Sequence, residues 1–260
     1  MRLLMIGDVS GNVGRRAVQD NVGKLRKEFD LDLVIANGEN ATAAIGISEE
    51  SGKELFAAGV DVLTMGNHVW NIPDAFEYLA KEKRIVRPAN YHPSLPGCGV
   101  LTVETSNKCR VAVANISGRS FMPVLDCPFR AADALLESVA GKVDVIVVDF
   151  HAEATSEKIA FGWYLDGKVA AVCGTHTHVM TADERILPGG TAYISDLGMT
   201  GPYDSVIGVE KEPIIEHFVF HRPVRLVDAK GLYQFNGVII DIDESNGKAT
   251  AIKRVQLYEQ

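Results

Sequence analysis

Val62-Leu63-Thr64-Met65-Gly66-Asn67-His68 is an apolar run that stops at a glycine and hands over to an amide and an imidazole. Four other stretches follow the same pattern. Leu3 to Ile6 leads into Gly7-Asp8, and Leu33 to Ala36 leads into Gly38-Glu39-Asn40. Val145 to Phe150 ends at His151, and Val169 to Cys173 ends at Gly174-Thr175-His176-Thr177-His178. Short apolar runs bounded by turn residues read as buried strands. In open α/β sheets the carboxyl ends of the strands line the ligand crevice. Five strands finishing in carboxylate, amide and imidazole groups therefore direct them toward one place.

The segments between these runs are helix-length. Val18, Val22, Leu25 and Phe29 follow helical spacing and predict a helix over 13–29. A second is predicted over 49–58, with Ser48 as N-cap, Glu49 and Glu50 in the first turn and Gly59 just past the end. A third is predicted from Pro73 at N1 to about Lys83. This βα alternation implies parallel pairing. The second half is richer in strand. Val100 to Glu104 and Arg110 to Ala114 read as a hairpin around Ser106-Asn107-Lys108, followed by a helix over 128–139. A further hairpin pairs Gly237 to Asp243 with Ala249 to Leu257 around Glu244-Ser245-Asn246-Gly247-Lys248. Two packed sheets with outer helices are expected, as one domain spanning 1–260.

Composition narrows the class. With 260 residues, 47% hydrophobic and 23% charged, the chain is an ordinary globular protein with enough length for a large core. A net charge of −8 and the lack of a basic stretch argue against duplex nucleic acid as a partner and make a primary RNA-binding role unfavourable. Asp8 interrupts the N-terminal apolar run, so it does not read as a signal peptide, and no run approaches the ~20 apolar residues of a membrane span. Cys98, Cys109, Cys127 and Cys173 show no CxxC spacing and read as reduced thiols of a cytoplasmic protein. Cys173 reads as the close of a buried strand rather than a ligand.

Singly, each polar cluster has an ordinary explanation. Asp8 could cap a helix, Glu39 could be a solvated loop carboxylate, and His151 could pair with Glu153 or Asp149. Asn67-His68 and the His176/His178 pair could be hydrogen-bonded turn residues. All five clusters at strand ends in one array point instead to a metal site. Carboxylates, amides and imidazoles suit hard or borderline divalent ions, and the absence of paired thiolates argues against a structural zinc cage. Ser10-Gly11-Asn12-Val13-Gly14 lacks the spacing and lysine of a P-loop. His92, His217 and His221 lie outside the clusters and read as structural or surface residues.

In order and with their glycines, Gly7-Asp8, Gly38-Glu39-Asn40, Gly66-Asn67-His68, His151 and Gly174-Thr175-His176-Thr177-His178 resemble the motifs of calcineurin-like metallophosphoesterases. Two departures are visible: Asp8-Val9-Ser10 lacks the usual Asp-x-His histidine, and Glu39 stands where that family carries a bridging Asp. Together with Gly118-Arg119-Ser120-Phe121-Met122 and Gly198-Met199-Thr200-Gly201-Pro202, these departures resemble the YmdB-like branch. The resemblance implies a four-layer α/β/β/α sandwich with two mixed β-sheets and two metal ions per chain, iron or manganese. It implies hydrolysis of a small phosphodiester such as a 2′,3′-cyclic nucleotide. One ion would take Asp8, Glu39, His178 and Asn40, the last replacing the absent histidine. The other would take Glu39, Asn67, His151 and His176, with Glu39 bridging.

Hydroxide generated at the ions would attack phosphorus, with His68 as general acid, since adjacent side chains diverge and His68 does not easily join the metal that Asn67 holds. Thr42 and Arg119 are candidate substrate contacts. Phe121 and Met122 read as core or a subunit contact before they read as a wall for a base. A phosphomonoesterase or protein phosphatase using the same metals is the competing enzyme reading, and a nucleotide-sensing regulatory protein is the competing non-enzyme reading. A homo-oligomer is compatible with the sequence.

Overall fold

The computed structural model describes residues 1–42 and 45–260. Its strands are β1 (Arg2–Ile6), β2 (Asp8–Val9), β3 (Leu33–Asn37), β4 (Val62–Thr64), β5 (Ile85–Val86), β6 (Val100–Glu104) and β7 (Arg110–Ser117). They continue with β8 (Val145–His151), β9 (Ala171–Thr175), β10 (Arg185–Ile186), β11 (Ala192–Ile194), β12 (Met199–Pro202), β13 (Tyr233–Asp243) and β14 (Lys248–Tyr258). The helices are α1 (Gly11–Phe29), α2 (Glu49–Ala57), α3 (Ala75–Lys81), α4 (Pro128–Val139), α5 (Thr155–Leu165) and α6 (Lys211–Phe220).

An eight-stranded sheet runs β2-β12-β13-β1-β3-β4-β5, with β14 beside β13. A six-stranded sheet runs β10-β11-β9-β8-β7-β6. Both are mixed. β1, β3, β4 and β5 are parallel, and so are β7, β8, β9 and β11, while the two hairpins supply antiparallel edges. Side-chain alternation along each strand separates the layers. Leu3, Met5, Leu33 and Ile35 meet Val111, Val113, Val145 and Val147 between the sheets. On the other face, Leu4, Ile6, Val34 and Ala36 meet Val13, Val18, Val22 and Leu25 of α1. Each fully buried Val, Leu, Ile or Met among these contributes about 1.5–3 kcal/mol. Ala132, Leu135, Phe161 and Leu165 of α4 and α5 cover the outer face of the second sheet against Ile116, Val148 and Phe150. The result is the four-layer α/β/β/α order.

Several local expectations are met in detail. Ser48 caps α2 by accepting from the Ser51 amide, and Gly59 follows that helix at φ 103°. Others need correction. α3 begins at Ala75, because the chain first makes a turn in which the Ala75 amide donates to the Ile72 carbonyl, leaving Pro73 outside the helix. β9 starts and ends two residues later than expected, so Thr175 is a strand residue. Helices α5 and α6 and the short strands β2, β5, β10, β11 and β12 lack a sequence signal strong enough to separate them from loop.

Phe161 stacks on Phe150, with ring centroids 3.9 Å apart, directly before His151. Phe161→Ala is expected to lower stability by about 3–5 kcal/mol, read as a fall in the urea midpoint.

Candidate metal centre

Strand ends deliver the polar groups as expected. Glu39 and Asn40 follow β3, Asn67 and His68 follow β4, His151 closes β8, and His176 and His178 follow β9. Asp8 opens β2, next to β12. Asp8, Glu39, Asn40 and His151 are buried. One ligand-type atom from each of Glu39, His151 and His176 lies within 4.8 Å of the others. His151 Nε2 is 2.9 Å from Asn67 Oδ1, 3.1 Å from Glu39 Oε1 and 3.1 Å from His176 Nδ1. The Asn40 amide nitrogen lies 3.1 Å from His178 Nε2 and 3.3 Å from Glu39 Oε1, while Asp8 Oδ1 lies 3.9 Å from His178 Nε2.

The outer nitrogen of each imidazole is anchored. His178 Nδ1 donates to the Ile207 carbonyl at 2.9 Å. Thr175 Oγ1 donates to Asp149 at 2.6 Å, so at 2.8 Å it accepts from His151 Nδ1. His176 Nε2 faces the Glu153 carboxylate at 3.1 Å. Held this way, all three rings turn their inner nitrogens (His151 Nε2, His176 Nδ1 and His178 Nε2) toward the carboxylates. Such outer partners fix the tautomer of a metal-binding histidine and raise its basicity.

Electrostatics fit a cation here. The His176 Nδ1 and His151 Nε2 atoms lie 3.1 Å apart, a spacing that either a shared proton or an ion beside both nitrogens satisfies. Burial pushes the Asp8 carboxyl up to about 6, against the attraction of His178 and His151. Burial also drives His176 down to about 3, helped by repulsion from His151. Glu39 moves below its usual range although burial opposes this, because His151 lies against it; His151 rises correspondingly, again against burial. Asp8 Oδ1 is buried without a hydrogen-bond partner among the described residues, as a carboxylate oxygen reserved for an ion would be. Gly66 completes the cradle: a Cβ there would lie 2.3 Å from both Glu39 Oε2 and His151 Nε2.

The backbone is held where the site needs it. His176 and His178 lie in a loop at φ 105° and 65°, conformations that non-glycine residues seldom adopt. Lys158 and Asp196, both buried, pair beneath this loop. Lys158 Nζ donates to the Thr175 carbonyl at 2.8 Å, and Asp196 accepts from the Thr177 amide at 3.1 Å. Sequence reading missed Lys158, Asp196 and Thr175 because a lone lysine on a helix or threonine on a strand carries no signal. Glu153 and Asp149 are near the site, but neither pairs directly with His151. Glu153 meets His176, and Asp149 acts through Thr175.

The remaining candidates lie around this cluster. The His68 amide donates to Glu39 Oε2 at 3.0 Å, and its ring Nδ1 lies 3.0 Å from the Asn71 amide nitrogen. Thr42 Oγ1 is occupied within its own loop, accepting from the Ser48 amide at 2.9 Å and lying 2.6 Å from Ser51 Oγ. Arg119 is exposed, on a turn whose Gly118 amide donates to the His151 carbonyl at 2.9 Å. Phe121 is 92% exposed and therefore is not core. Cys173 faces the layer between the sheets, and burial raises its thiol pKa, so it is removed from the centre. His92, His217 and His221 are on the surface.

Residues 4–255 match the family described as YmdB-like protein. The chain belongs to this family. It is 48% identical over 259 residues to a 2′,3′-cyclic-nucleotide 2′-phosphodiesterase of Bacillus subtilis (strain 168), covering all of this chain and 98% of that protein. A crystal structure of a hypothetical protein from Thermus thermophilus matches with a TM-score of 0.94 and 43% identity, covering 100% of both chains. A crystal structure described as a novel phosphatase, from Mycoplasma pneumoniae, matches with a TM-score of 0.94 and 37% identity over 99% of this chain and 93% of that one. The YmdB-like chain thus shares its whole length, and its metallophosphoesterase sandwich, with these proteins.

Gly66→Ala is expected to cost the protein most of its bound metal after loading with Mn²⁺, measured by elemental analysis. The far-ultraviolet circular dichroism should stay that of the parent.

Proposed function

We propose that this chain is a metal-dependent phosphodiesterase that opens 2′,3′-cyclic nucleotides, as the name of its Bacillus subtilis relative says of that protein. The inward set of the three imidazoles, each fixed from outside, carries the metal part of this reading. Asp8, Glu39, Asn40 and His178 would hold one ion, and Glu39, Asn67, His151 and His176 the other. Mixed oxygen and imidazole donors suit iron or manganese. When bound, the pair supplies an activated water and neutralises charge on the phosphoryl oxygens. Four cysteines without disulfides support a reducing, cytoplasmic setting.

In the proposed reaction, water releases one proton to solvent, its oxygen bonds to phosphorus, and the bond from phosphorus to ribose O2′ breaks. The departing O2′ takes a proton from His68. As the acid, the His68 ring would carry a proton on both nitrogens, with Nδ1–H held on the side of the Asn71 side-chain amide, 3.0 Å away, and the transferable proton on Nε2, the far side of the ring from that contact. The backbone bond from His68 to Glu39 couples its position to the cluster without using its ring. Arg119, on the turn bonded to His151, is proposed to meet the phosphate. The Thr42 hydroxyl would act on substrate only indirectly, through the loop it closes.

The test is hydrolysis of 2′,3′-cyclic AMP by the purified protein with Mn²⁺, set against an equal concentration of a phosphomonoester. Release of 3′-AMP is expected, with the cyclic diester turned over faster. Preference for the monoester would favour a phosphomonoesterase, and binding without turnover would favour a nucleotide sensor. His68→Ala should lower kcat by about 10²–10⁴-fold, the usual contribution of a general acid, with metal content unchanged. Loss of metal together with activity would remove His68 from that role.

A further inference from the structure

A cavity of about 570 Å³ opens between α4 and the segment that follows β5, and none of the candidate metal ligands lines it. Arg87 stands in its wall and is only 4% exposed. A guanidinium so deeply buried is costly unless a negative charge accompanies it. Here its protein partners are neutral. Arg87 Nε donates to the Pro96 carbonyl at 2.9 Å, Nη1 to the Pro88 carbonyl at 3.0 Å and Nη2 to the Leu95 carbonyl at 3.0 Å. Burial lowers the Arg87 pKa, and the groups that oppose this are the Cys98 thiol and the Tyr91 phenol. Burial raises the pKa of both, so neither is ionised near neutrality. Each terminal nitrogen of the guanidinium carries two N–H bonds and spends one on a carbonyl. One on each has no partner among the described residues.

The facing wall is also electropositive. Cys127, which caps α4, and Arg130, in its first turn, line the same cavity. The amides of Arg130 and Phe129 lower the Cys127 thiol pKa, and the charges of Arg119 and Arg130 add to this. A helix N-terminus of this kind favours an anion. Asp126 puts one negative charge on the lining, but it is exposed and among the described residues pairs with neither arginine. Ala131, Ala134 and Leu135 supply an apolar wall. Guanidinium groups match phosphate geometry. Pockets for small organic ligands run to about 300–1,000 Å³ with mostly apolar walls and few charges, so the space suits a phosphate that carries an organic body.

We propose that this cavity binds a small organic phosphate, its phosphate on Arg87 and Arg130 and its body against α4, at a site separate from the metal centre. Titration of the metal-free protein with 5′-AMP, followed in amide proton–nitrogen NMR spectra, tests it. Chelation removes phosphate binding through the metals, so the outcome does not depend on the phosphodiesterase reading. The amides of 89–91, 99–100 and 130–135 should shift, together with the Arg87 side-chain Nε–H, while those of 39–40, 67–68 and 176–178 stay in place. Arg130→Ala, which alters an exposed side chain, should weaken binding about tenfold, the worth of one charge-assisted contact. Adenosine, which lacks the phosphate, should leave the spectrum unchanged. The proposal is overturned by an unshifted spectrum at millimolar 5′-AMP, or by shifts confined to the metal-centre loops. Binding of adenosine equal to that of 5′-AMP overturns it as well, as does an Arg130→Ala protein that binds like the parent.

Discussion

The buried Asp149 carboxylate holds the two sheets in the relation the site requires. It sits in β8 and accepts from Thr64 Oγ1 at 2.5 Å and Asn37 Nδ2 at 3.0 Å, both in the first sheet, and from Thr175 Oγ1 at 2.6 Å in its own. Burial raises its pKa, and these three donors and His151 oppose that rise. A charge in this layer is tolerated because it is satisfied from several sides, and removing one donor would leave an expensive orphan. Through Thr175 the same carboxylate fixes the tautomer of His151. Asn37, another of its partners, also accepts from the Glu39 amide at 3.1 Å. One carboxylate therefore sets the register of sheet on sheet and the aim of two candidate ligands.

A second buried charge performs the matching task for the loop after β9. Two histidines in positive-φ conformations cost of order 1–3 kcal/mol each, and this cost must be met by contacts that leave the chain no alternative. Lys158 and Asp196 provide them from beneath, by pairing with each other and bonding the loop backbone on both sides of His176. Apolar residues in place of such a pair are often compatible with folding, but they would remove the directional bonds that hold the loop. Here the ion pair is better understood as a positioning device than as a source of stability.

Most of the sandwich was legible because its strands are uniformly apolar and its first three helices alternate with them. Ser48, Gly59 and Pro128 mark boundaries by local chemistry that tertiary packing did not override. Pro73 misled because a proline suits a turn as well as a first helical position. α6 was illegible since its apolar residues lack a consistent buried stripe. The candidate ligands were legible as residue types that follow glycines at strand ends. Their outer partners were not: Thr175, Glu153 and the Ile207 carbonyl acquire meaning only when the fold brings them to an imidazole.

The ligand chemistry also bears on which phosphate the centre suits. In the proposed set, Asn40 and Asn67 are neutral, so only Asp8 and Glu39 offset the charge of two divalent ions. The chain as a whole is acidic, yet the centre would keep an excess of positive charge in a buried setting where screening is weak. That excess is aimed at an anion, and preorganised charge of this kind acts most strongly where charge develops during the reaction. A cyclic diester carries a single negative charge and gains a second when its ring opens. Neutral amides in place of further carboxylates would leave that developing charge unopposed, and so Asn40 and Asn67 fit the diester chemistry proposed for the site.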